Sequence, residues 1–186
     1  MELKKHSMKK STLISTLAFS LIMLFSTNIS AQDFSGLDKS PMDAAAFPSS
    51  YKEANKLIKI VYSRPQLNGR ALSELAPNGK VWRTGANEGT EITFNKDMKR
   101  GGKAVKAGTY TLTSIPGDKE WTIILNSTLG TWGGNAGKEA ASTEVAKFMA
   151  KASTSSDSLE AFSIAFDDDG NMHLGWGNTR VAVPLN

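Results

Sequence analysis

The chain has no cysteine among its 186 residues, and this absence removes several kinds of chemistry at once. There is no disulfide framework, no thiol nucleophile and no cysteine for a lipid anchor. Histidine is almost as scarce: His6 falls in the leader described below, which leaves His173 alone. A single histidine cannot build a zinc site, and no His-x-x-x-His spacing occurs. Long apolar runs are missing too. The longest, "LISTLAFSLIMLF" from Leu13 to Phe25, is shorter than the roughly 20 residues that a membrane span needs.

The catalytic signatures fail one by one. A phosphate loop in "WGGNAGKEA" would require glycine where Trp132 stands and a hydroxyl residue where Glu139 stands. A calcium loop in "AFDDDGN" would require an acidic ligand at Ala165 and a closing glutamate at Trp176. No Gly-x-Ser-x-Gly elbow is present. The chain is therefore read as lacking a signature catalytic motif, with no cofactor and no metal expected.

What is present begins with Lys4, Lys5, Lys9 and Lys10, the apolar run and the small residues of "NISAQ". That succession is a secretory signal peptide over residues 1–31, cut after Ala31. Removal of its four lysines and one glutamate from the 22 basic and 18 acidic residues leaves 18 and 17, so the formal charge falls from +4 to +1. A nearly neutral domain offers no electrostatic case for nucleic acid. The mature protein is expected in the periplasm or outside the cell, without a membrane span.

Residues 32–55, small and polar with Pro41 and Pro48, read as a flexible lead-in, with a weak helical turn at "AAAF". Residues 56–186 read as one β domain, because apolar residues recur with period two: "KLIKIVYS", "TEITFNK", "GTYTLTSIPG" and "EWTIILN". "AFSIAF" and "NMHLGWG" flank Asp169-Gly170, a hairpin turn, and "TRVAVPLN" adds a last strand. "TEVAKFMAKA" suits helix or strand, and its context favours strand. Eight or nine short strands with little helix predict an all-β fold, an antiparallel β-sandwich or jelly roll.

Two arginine-bearing segments carry the functional interest. "YSRPQLNGR" holds Tyr62, Arg64 and Arg70, and "VWRTGANEGT" holds Trp82, Arg83, Asn87 and Glu88. Guanidinium forks suit carboxylates or phosphates, and flat aromatic faces suit a sugar ring. The competing reading is structural, with Arg83 paired to Glu88 inside the domain and Gly85 and Asn87 serving a turn. His173, on the polar face of its strand, is a further candidate for ligand contact.

The ordered segments "YSRP…GR", "GKVWRTGANEGTEITF", "KAGTYTLTSIPG", "EWTIILN" and "WG" resemble the bacterial domain-of-unknown-function family 2911, typical of exported Bacteroidetes proteins. The likeness spans about Lys56 to Leu185. It implies a mostly β domain of unassigned activity. "ALSELAPNG" departs from the family pattern in lacking aromatic residues, and "WGGNAGKEA" departs from it in lacking a tyrosine.

The leading expectation is a domain that binds a small polar, anionic or carbohydrate-like ligand through the two arginine loops. A hydrolase using Glu88 or an aspartate as general base, with Arg83 stabilising developing negative charge, and a purely structural envelope module, are the alternatives. Export is tested by intact-mass analysis of the periplasmic fraction. The expected product begins at Gln32; a membrane-bound product retaining residues 1–31 contradicts the leader assignment.

Overall fold

The computed structural model describes residues 32–100, 103–135 and 143–185. The leader lies outside them. The chain divides after Gly36, and the unit from Leu37 onward carries every element that follows.

The elements are β1 (Met42–Phe47), β2 (Ile58–Ser63), a one-turn helix α1 (Leu72–Leu75), β3 (Thr90–Phe94), β4 (Met98–Arg100), β5 (Lys103–Val105), β6 (Gly108–Ile115), β7 (Glu120–Asn126), β8 (Glu144–Phe166) and β9 (Met172–Val183). Seven strands form one antiparallel sheet in the order β1-β2-β3-β6-β7-β8-β9, and β4 pairs with β5 in a small ribbon. With 53% strand against 4% helix, the domain is all-β, as the two-residue alternation predicts.

The structure corrects several local readings. "AAAF" is not a helical turn but the second half of β1, paired with β2 from Met42↔Ser63 to Phe47↔Ile58. Alanine's helix preference is a fraction of a kcal/mol per residue, and a free sheet edge satisfying the backbone outweighs it. The sheet therefore starts within the segment read as a lead-in. "TEVAKFMAKA" is strand: Ala146, Phe148 and Ala150 face Leu125, Ile123 and Trp121 across the ladder. The strands are also fewer and longer at this end than their composition suggests. "EVAKFMAKA" and "AFSIAF" belong to the single 23-residue β8, and "MHLGWG" and "TRVAV" to the 12-residue β9. Ser/Thr-rich residues between them look like loop, but they lie at register shifts on either side of Leu159, where bulges bend the strand without ending it. The Asp-Gly turn holds as read, with Gly170 at φ 82° and its amide bonded to the Asp167 carbonyl at 3.1 Å.

Bent in this way, β8 pairs with β7 along its first half and swings its second half back over the sheet. There Phe162 N donates to Pro65 O at 2.9 Å and Leu67 N to Glu160 O at 3.0 Å, so the chain just after β2 is stitched to β8. The sheet curls around a core that includes Ile60, Ile92, Leu112, Ile123, Leu174 and Val181. Tyr62 and Arg64 tie the seam. The Ile164 amide donates to the Tyr62 hydroxyl at 3.0 Å, and burial pushes that phenol above its ordinary pKa, keeping it protonated. Arg64 donates from Nε to the Phe162 carbonyl at 3.0 Å, from Nη2 to Ser163 Oγ at 2.8 Å and from Nη1 to Asp43 Oδ2 at 3.2 Å.

Tyr62→Phe strands the buried Ile164 amide without adding a cavity. It is expected to lower stability by about 1–3 kcal/mol, measured by urea unfolding. An unchanged midpoint would mean that the seam contributes nothing.

Candidate functional site

The segment "VWRTGANEGT" is rooted by Trp82. Its amide donates to Ser114 O at 2.7 Å, and its carbonyl accepts from Ser114 N at 2.9 Å. The indole enters the core, stacked on Trp176 at 5.5 Å between centroids and edge-on to Phe162 at 5.0 Å and Trp121 at 6.0 Å. Thr90 then pairs with Leu112, only two residues further along β6, so residues 83–89 form a loop standing off the sheet.

Two features hold this loop. Thr84 has φ 57°, a left-handed conformation unfavourable for a β-branched residue, and it is fixed by Thr84 Oγ1···Ser114 Oγ at 2.9 Å and Thr90 Oγ1→Thr84 O at 2.8 Å. A second loop, residues 127–133, lies against it: Gly89 N donates to Thr131 O and Gly133 N to Asn87 O, both at 2.8 Å. Glycine at 89 is required because a Cβ there would collide with Thr131 Oγ1 and press on Thr111 Cγ2.

Together the loops cover the face of β6–β7 that points away from the core. Leu112 and Ser114 face inward with Leu125 and Ile123, so Thr111, Thr113 and Asn126 share the outer face. All three are nonetheless buried. Asn126, at 0% exposure, donates from Nδ2 to Thr113 Oγ1 at 3.1 Å and Thr111 O at 3.3 Å, which leaves its Oδ1 buried without a donor. Arg83 follows Trp82 at the root of the first loop. Its Nε is buried and unpartnered, and burial lowers the guanidinium pKa from its ordinary value, although an arginine stays charged.

The eight residues singled out from sequence do not converge. Tyr62 and Arg64 close the sheet. Arg70 donates to the carbonyls of Leu67 and Gln66 and holds its own turn. Trp82 is core. Asn87, at φ 58°, donates to Asp38 Oδ1 at 3.0 Å. His173 Nε2 lies 2.8 Å from Asp167 Oδ2, and this contact with that of Asn171 holds the Asp167 carboxyl down at about 2. Arg83 and Glu88 do not pair: no hydrogen bond or ion pair joins Arg83 to any described residue, and Glu88 instead lines a groove with Glu91, Thr131 and Trp132. Sequence reasoning missed Asn126, Thr131 and Trp132. A polar residue ending the apolar strand "EWTIILN" and a tryptophan set among glycines in "GTWGG" were the available signals. Among the described residues, no group of three or more His, Asp or Glu side chains is placed to hold a metal ion.

A curled antiparallel sheet with two interlocked loops on its outer face defines an all-β domain. The chain belongs to the family described as "Protein of unknown function (DUF2911)", whose model matches residues 41–185. The match begins just ahead of β1, so it takes in the edge strand that the sequence resemblance left out. No curated protein and no solved structure matches the chain.

Gly89→Ala forces Thr131 away and parts the two loops. The expected loss is about 1–3 kcal/mol in chemical unfolding, with the amide resonances of residues 87–90 and 130–133 shifting together. Full stability with unmoved resonances would show that the loops are not interlocked.

Proposed function

We propose that this is an exported, periplasmic or secreted, non-enzymatic domain that binds a small polar ligand bearing an acidic group, held at Arg83. The observation that carries the reading is the unpaired guanidinium. A charge taken partly out of water without a partner is unfavourable, and folded proteins keep such groups chiefly where a ligand supplies the partner.

The chemistry of that group narrows the class. Arg83 offers donors and calls for an oxyanion, which a small carboxylic acid or sugar acid supplies. The second arginine loop takes no part, since Arg64 and Arg70 are spent on backbone and side-chain partners of the fold. The hydrolase alternative gains no support, because among the described residues no contact joins Glu88 to Arg83 and Arg83 does not line the groove beside Glu88. A purely structural role would call for a satisfied Arg83.

The test compares wild type with Arg83→Met by thermal shift against gluconate, glucuronate, lactate, phosphate and neutral glucose. Wild type is expected to gain stability with concentration of one of the acids, by roughly 2.7 kcal/mol at a hundred times its dissociation constant. Arg83→Met is expected to melt no lower than wild type and to lose that response. A variant that melts several degrees lower, with no acid stabilising either protein, contradicts the proposal.

A further inference from the structure

The second face of the same two loops forms a groove of about 210 Å³ that Arg83 does not line. Val61 and Met42 supply apolar surface, and the carboxylates of Glu88 and Glu91 stand beside it. Trp132, at 62% exposure, and Met42, at 57%, present large apolar side chains to solvent at the same place. None of the described lining residues is lysine, arginine or histidine.

Three observations say that the groove is more than an exposed patch. Glu88 makes no hydrogen bond or ion pair with any described residue, and Glu91 has only a long contact, 3.4 Å, from the Gly130 amide. The two negative charges are thus left without a cation. Thr131 lines the groove at 4% exposure, and its Oγ1 is buried with no partner. Trp132 is held in place by its backbone bridge to Glu88, so the aromatic ring and the first carboxylate are positioned by one another.

An exposed indole beside uncompensated carboxylates is the chemistry that recognises an organic cation. The ring face attracts positive charge, the apolar wall accepts the alkyl groups around it, and the carboxylates complete the neutralisation. The geometry points to a binding site for a small organic ammonium, seated against Trp132 and neutralised by Glu88 and Glu91. A sugar ring would also stack on the indole, but a surface this apolar, with few hydrogen-bonding groups, favours the cation. The inference is independent of the acidic ligand proposed at Arg83.

Choline titrated into the mature protein, followed by the indole N–H resonance of Trp132 and by calorimetry, tests it. Its uncharged isostere, 3,3-dimethylbutan-1-ol, and glucose serve as comparison probes. Choline is expected to shift the Trp132 signal saturably and to bind at least about tenfold more tightly than the isostere. Trp132→Ala is expected to abolish binding, and Glu88→Gln combined with Glu91→Gln to weaken it by about tenfold or more; both change exposed or half-exposed groups, and a retained melting temperature confirms folding. Arg83→Met is expected to leave choline binding unchanged, which separates this site from the one at Arg83. Equal binding of choline and the isostere, preference for glucose, binding that survives Trp132→Ala, or no binding of choline would each overturn the assignment.

Discussion

The burial of the Trp82 indole is the constraint on which both the core and the loops depend. It stacks on Trp176 of β9 and meets Trp121 of β7 and Phe162 of β8 edge-on, so one side chain gathers three strands of the curled sheet. Its backbone is clamped at the same time to Ser114 of β6. With residue 82 fixed on both counts and Thr90 fixed opposite Leu112, the intervening residues have no sheet position left. They must loop out, and Arg83 is the first residue of that loop. Aromatic contacts of this kind contribute roughly 0.5–1.5 kcal/mol each beyond simple burial, so the loop root is among the most firmly held points of the chain.

The contrast between Arg64 and Arg83 gives the functional argument its force. Arg64 spends three nitrogens on a carbonyl, a hydroxyl and a carboxylate across the seam between β2 and β8, and nothing about it asks for a ligand. Arg83 is half-buried, carries the same fork and has no partner among the described residues. In the same loop the left-handed Thr84 and the glycine demanded at 89 are both departures from local stability. Departures from local consistency concentrate where a protein has work to do.

Much of the architecture is legible in sequence because a strand buried on one face imposes period two on its residues, as in Ile58, Ile60 and Tyr62 or Trp121, Ile123 and Leu125. Where burial does not impose it, the pattern goes silent. The alanines of β1 contribute little side chain to bury, and the serines in the middle of β8 lie on a bent, exposed stretch whose partner is the distant β9. The site was legible only as a composition: Arg83, Asn87 and Glu88 are adjacent in sequence, but their partners are set by long-range pairing. Asp38 captures Asn87, and Trp132 pairs with Glu88. No local pattern shows that Arg83 and Glu88, five positions apart, part company.

The central claim is that Arg83 is held unpaired in the free protein. Nitrogen-15 NMR of its Nε–H group through a pH titration measures this directly. The account predicts a resonance that stays flat as glutamates titrate near pH 4 and moves when a small acid such as gluconate is added. An Nε resonance that follows a carboxylate titration in the free protein, and ignores added acids, would show an internal ion pair and contradict it.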